Sequence, residues 1–277
     1  MAYLVQSTTA VSNSNATLVT PTITLNGTVA GNTIIVGVFA TNDNGGNGWA
    51  LDVDFVSDNV NSGNYSAPVK QINTGDVAQR GLLGLFYMPN NIGGNLTITY
   101  TNSTTGGARV TSVIIIASEY QNLTPTPVDV YSFSHGVSGT ALNSGLTAST
   151  HFAAEVIIGL GGAFSNTATD TFTASSGYSV VQQAQDASKL GTAVMEELDV
   201  TTIGAYSSTP TQSSSLPWVS CCVTFVDPTG PNMVTNIIAN ETAAQTATTQ
   251  KYSSIYAAGT NFGTSMVSSG AWNVMPC

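Results

Sequence analysis

Arg109–Asp129, RVTSVIIIASEYQNLTPTPVD, decides the fold. Within it Val113–Ala117 is apolar and mostly β-branched, drops into the polar pair Glu119-Tyr120, and ends in a turn punctuated by Pro125 and Pro127. Branching at Cβ favours the pleated backbone, and a short apolar run bounded by turn signals reads as a strand buried on both faces. The stretch is therefore expected to be the spine of a β-sandwich. Glu119 and Tyr120, at its end, are expected to close the turn by hydrogen bonds rather than to catalyse.

Working outward, Leu18–Leu25, Leu51–Val56 and Leu96–Tyr100 alternate apolar with polar residues. Thr33–Ala40 and Glu155–Leu160, the latter ended by Gly161-Gly162, read instead as buried strands, and Gly81–Met88 as a strand ended by Pro89-Asn90-Asn91. Val69–Ile72, Val128–Phe133, Leu146–Ser149, Phe172, Tyr178–Gln182, Thr192–Val200 and Val219–Val226 supply further strand-like segments, separated by Gly-, Asn- and Pro-rich turns. Many short strands at close spacing, with no convincing helix before residue 227, predict an all-β fold: a two-sheet antiparallel β-sandwich of jelly-roll type.

Beyond Pro228-Thr229-Gly230-Pro231 the texture changes, so residues 1–227 are expected to form the sandwich and 228–277 a C-terminal extension. A short helix is permitted around Glu241–Ala257, although its threonines make it a poor isolated one. Phe262, Met266, Trp272 and Met275 lie among small residues in a segment too short to own a core. They must dock either on the sandwich or on a neighbouring subunit, and the neighbour is expected, with the segment acting as an arm.

Charged residues make up 7% of the 277-residue chain and apolar ones 42%, with a net charge of −10. That apolar content argues for a folded chain. Five scattered cations give no footprint for a phosphate backbone or an anionic membrane surface, so neither nucleic acid nor membrane is an expected partner. The first residues, MAYLVQSTTAVSNSNATL, lack the basic and apolar regions of a secretory signal, and synthesis in a cytoplasm is expected. Cys221, Cys222 and Cys277 form no disulfide framework; adjacent strand residues point to opposite faces, so Cys221 and Cys222 are expected to be buried, inert thiols.

Candidate chemistry is sparse. Asp43, Asn44, Asn47, Asp52, Asp54 and Asp58 gather oxygen ligands of the kind calcium takes, without EF-hand spacing, and Asx turns with solvated strand charges account for the same residues. Of these, Asp43, Asn47, Asp52 and Asp54 are the calcium candidates; no other cofactor is expected. Asp52 and Asp54 share a strand face, as a glycosidase pair would, yet nothing nearby raises a carboxyl pKa. Glu196 and Glu197 face opposite ways, and His135 and His151 lack the companions of a zinc site or a nucleophile elbow. Trp49, with other aromatics, could stack on a sugar, although most aromatics in a sandwich are core.

Several segments together resemble a β-sandwich module of bacterial secreted surface proteins and phage virion proteins. They are GNTIIVGVFA, the loop ending in Trp49, LLGLFYMPNNIGGNLTITY, VIIIASEYQNLTPTPVDV, STHFAAEVIIGLGG, Gly177-Tyr178 and Pro217-Trp218-Val219. The module's hallmark is an aliphatic run into Glu-Tyr-x-Gly and then Pro-Leu-Asp; here Asn122 replaces the glycine and Val128 the leucine. The resemblance spans about residues 1–227 and implies fold, with no catalytic residues. With the composition, it leads to the expectation of a non-enzymatic virion structural protein: a capsid cement, decoration or spike protein that binds the major capsid protein or another virion protein and forms homo-oligomers. The alternative is a carbohydrate-binding or adhesin module of a tail fibre or extracellular surface, with Trp49 at its site.

Overall fold

The computed structural model describes residues 1–42, 50–70, 81–105, 109–164, 170–188 and 190–228, with backbone only at 15, 42, 50–54 and 103–105. The first half contains β1 Tyr3–Ala16, β2 Leu18–Val19, β3 Thr22–Thr28, β4 Thr33–Asn42, β5 Ala50–Asp58, β6 Ser66–Val69, β7 Gly81–Met88, β8 Gly94–Thr105 and β9 Val110–Gln121. The second contains β10 Val128–Gly136, β11 Glu155–Phe164, β12 Phe172–Thr173, β13 Ser179–Gln185, β14 Gly191–Val200, β15 Thr211–Gln212 and β16 Trp218–Val226.

Pairing in the first half is nested: β1 pairs with β9, β2 and β3 with β8, and β4 with β7, all antiparallel. Rolling that strip places β4 beside β9 and β5 beside β8, which gives two facing sheets. One is β1-β9-β4-β7-β6; the other has β8 between β5 and the β2/β3 edge. Val19↔Asn102 and Thr22↔Thr99 lie in one continuous register, so β2 and β3 are a single edge strand interrupted at Thr20-Pro21, where proline cannot donate to a ladder. This connectivity is a jelly roll.

The second half repeats it. Its five-stranded sheet runs β10-β16-β11-β14-β13, matching β1-β9-β4-β7-β6 strand for strand. The covering layer is reduced to the β12–β15 pair and an irregular ladder of residues 140–150 against 204–212. Its bonds run from Gln212 N to Thr140 O (2.7 Å), Leu142 N to Pro210 O (2.9 Å), Ser144 N to Ser208 O (3.0 Å) and Thr150 N to Gly204 O (2.9 Å). Pro210 offers no donor, and the hydroxyls of Thr147 and Thr150 accept from Tyr206 N and Gly204 N, so side chains take over part of the ladder. The expected antiparallel β-sandwich is thus present, and it is built twice in tandem.

Alternation along β9 explains the layering. Val113 and Ile115 point into the first sandwich, against Ile23, Leu25, Leu96 and Ile98. Ile114 and Ile116 point the other way, into a core shared with Val156, Ile158, Leu160, Val223 and Phe225 of the second half. The expected spine is therefore buried on both faces, each face serving a different core. The two halves meet closely because glycines make room: a Cβ on Gly37 would lie 2.6 Å from Leu160 and 2.8 Å from Met195, and one on Gly162 would collide with Phe39. Phe39 and Phe164 pack at 5.0 Å between ring centroids. Aligned orientation is fixed by Ala2 N to Asp227 Oδ2 (2.6 Å) and Tyr120 OH to Glu197 Oε2 (2.7 Å), which join the same ends of the two sandwiches. Asn122 has φ 65°, the left-handed region that glycine or asparagine occupies most easily, which accounts for asparagine at that turn.

Gly162→Val is expected to cost about 1–3 kcal/mol by overpacking against Phe39. Urea unfolding followed by circular dichroism should keep one transition with a lowered midpoint; a separate early transition would show that the halves do not share a core.

Candidate functional site

The residues singled out for calcium or sugar fall largely beyond view. Asp43, Asn44, Asn47 and Trp49 lie outside the described residues, as do the side chains of Asp52 and Asp54, whose backbone belongs to β5. Phe262, Met266, Trp272 and Met275, and the helix permitted near Glu241, also lie outside them. Asp58 is described, and it is consumed by its own turn. Its Oδ1 accepts from Val60 N (2.7 Å) and Asn61 N (2.6 Å), and its Oδ2 from Asn61 Nδ2 and Tyr65 OH (both 2.8 Å). That is Asx-turn chemistry.

Glu119 is fully buried at the end of β9, facing the interior of the first sandwich. Its Oε1 accepts from Val29 N and Asn32 Nδ2 (both 2.7 Å), and its Oε2 from Gln6 Nε2 (2.6 Å). The carboxylate ties β1, the β3–β4 turn and β9 together, so its hydrogen bonds go to that turn and not, as expected, to the one that follows β9. Asn91 extends the network, donating to Thr28 Oγ1 (2.9 Å) and accepting from Asn61 Nδ2 (3.0 Å). Tyr120 on the opposite face bonds Glu197; burial raises the tyrosine's pKa well above its ordinary value, and Glu197 adds to the rise.

Glu196 and Glu197 point to opposite faces of β14, as alternation requires. Glu196 is buried in the second sandwich, where Ser208 Oγ donates to Oε1 (2.8 Å), Ser175 N to Oε2 (2.7 Å), and the Ser175 hydroxyl to Oε1. Cys221 faces the shared core and Cys222 the opposite side; both are free and buried, and burial pushes Cys222 up to about 12 and Cys221 higher still. Thiols so protonated are unreactive, as expected.

One cluster was not foreseen. Asp129 at the start of β10 receives His151 N (2.6 Å) and is 2.5 Å from His151 Nδ1, with the imidazole largely exposed. Beside it stands Glu155, 1% exposed, with neither carboxyl oxygen in hydrogen-bond geometry among the described residues. Burial pushes Glu155 up to about 8, with Asp129 adding to the rise and Thr224 opposing it. Burial also pushes Asp129 upward, but the adjoining Glu155 carboxyl and the hydrogen bonds from His151 outweigh it and hold the carboxylate below its ordinary range. The two carboxyls are thus shifted in opposite directions, Glu155 upward and Asp129 downward. His135, the other histidine, is exposed on β10 away from this cluster. An aspartate orienting a histidine is half of a nucleophilic triad. The adjacent hydroxyl is engaged, however: Thr150 Oγ1 donates to Phe152 O (3.0 Å) and accepts from Gly204 N (3.3 Å). Among the described residues no three His, Cys, Asp or Glu side chains group as a metal would require.

Comparison with known protein families, with curated proteins and with solved structures finds no match. What the geometry defines is a set of buried carboxyls that fasten strands and turns.

Two outcomes follow. Glu119→Ala strands three donors and should cost about 3 kcal/mol or more in urea unfolding. Glu155 carries a folded pKa near 8, above the ordinary carboxyl value, so its stabilisation is complete at acid pH and is lost as pH rises through about 8. Stability measured from pH 5 to pH 9 should fall, and Glu155→Gln should flatten that fall; an unchanged slope would contradict the assignment.

Proposed function

We propose that the chain is a non-enzymatic structural protein of a virion, a cement, decoration or spike protein whose tandem sandwich sits on the particle and whose C-terminal extension clasps a neighbour. The observation that carries this reading is that the fully buried carboxylates Glu119 and Glu196 are saturated by donors of their own fold, which leaves them to hold strands in place. An acidic chain with only five Lys and Arg, and the resemblance to virion and surface modules, agree with it.

Deleting residues 231–277, or replacing Phe262 and Trp272 by alanine, should weaken co-sedimentation with the cognate particle at least tenfold while the circular dichroism of the sandwich persists. Undiminished particle binding would refute the arm. Binding on a glycan array that disappears in Trp49→Ala would favour the carbohydrate-binding reading instead.

A further inference from the structure

Internal duplication places equivalent residues at one end of the molecule. Thr28, at the end of β3, faces Gly94 at the start of β8, with its hydroxyl donating to Gly94 O (2.9 Å). Thr150 occupies the same place in the second half, opposite Gly204. Shortly before each glycine stands an isoleucine with its side chain in solvent, Ile92 and Ile203, each 61% exposed. The neighbouring turns, which lead into β4 and β11, contribute exposed Val29 and Phe152. Strand order β1-β9-β4-β7-β6 lies over β13-β14-β11-β16-β10, so that β1 meets β13 and β6 meets β10. Only a pseudo-twofold axis parallel to the strands produces that reversal, and such an axis keeps both apolar pairs at the same end. Met1 and Tyr3 are exposed there as well.

This end also carries little exposed charge. Glu119, Glu155 and Asp227 are buried, Asp58 and Asp129 are held by Asn61 and His151, and Glu197 by Tyr120. Asp199 and the Met1 ammonium are the exposed carboxylate and the exposed amino group at this end among the described residues. In a chain of net charge −10 such an end is where two copies repel least, and interface centres are depleted of charge.

We propose that this end is a self-association surface whose occupant is the same end of a second copy. A pseudo-twofold surface is matched by itself: two equivalent apolar pairs meet two equivalent apolar pairs, as in an isologous contact. The six exposed side chains offer roughly 600 Å² per copy, so two copies bury on the order of 1,200 Å², the lower bound of a standard stable interface. A concentration-dependent dimer is the expected result. The proposal deepens the self-association in the functional reading above, and it is tested without any particle, so the two fail separately.

The test is sedimentation equilibrium of the full chain, with Ile92→Asp, Ile203→Asp, the double variant, and Leu18→Asp at the opposite end as control. Circular dichroism confirms that each is folded. The expected result is a wild-type dimer, a similar weakening of about tenfold or more in each single variant, a monomeric double variant and an unaffected control. A monomeric wild type, or a dimer that survives the double substitution, overturns the proposal. So does a monomer in which the variants alter only the protease sensitivity of residues 231–277, since the chain's own C-terminal segment would then be the occupant.

Discussion

The packing of β4 and β9 against β11 and β16 is the constraint on which the described structure depends. It is apolar, and it is close because Gly37 and Gly162 admit Leu160 and Phe39 to the backbone. A jelly roll by itself leaves the outer face of its β1-β9-β4-β7 sheet to be covered. Here the second jelly roll covers it, so Ile114 and Ile116 on one side and Val223 and Phe225 on the other belong to one core. Each half is then incomplete without its partner. Shared burial of this extent makes the sandwiches one cooperative unit, and the irregular covering layer of the second half is tolerable because its main sheet is held from behind.

The polar groups follow from that packing. Sheets buried on both faces leave little room for charge, and the carboxyls found inside are each given a task. Glu119 gathers three donors, Glu196 gathers serines and a backbone N–H, and Glu155 stands beside Asp129 with its pKa raised by burial. Glu197 receives the Tyr120 hydroxyl and so links the halves. Ionised groups buried without partners would cost several kcal/mol each, which explains why Glu119 sits at a strand end within reach of the Val29 amide and Glu196 lies opposite Ser175 and Ser208.

Much of this was legible in the sequence, and what was missed has physical causes. β4, β7, β9 and β11 are visible because strands buried on both faces are nearly continuously apolar, whereas β14 and β16, with Glu196, Glu197, Ser220 and Thr224, read only as strand-like. Only Tyr3–Gln6 reads as a short apolar start in the sequence, yet β1 runs to Ala16, since an edge strand tolerates Ser and Asn once β9 supplies its hydrogen bonds. The strand read as Glu155–Leu160 runs on to Phe164, and Gly161 and Gly162 stay in it to admit Leu142 and Phe39. Leu146–Ser149 is part of the irregular ladder rather than a strand. Duplication was hidden because the halves share strand order and turn positions more than residues. The Asp129–His151–Glu155 cluster is assembled by register between β10, β11 and β16 and leaves no motif in the chain.

Native-state hydrogen exchange on Phe39→Ala tests the shared core most directly. The account predicts that the slowest amides of β4 and β9 and those of β11 and β16 exchange with one common free energy in the wild type, and that the substitution lowers both sets equally. Loss of protection confined to β4 and β9, with β11 and β16 unchanged, would contradict it.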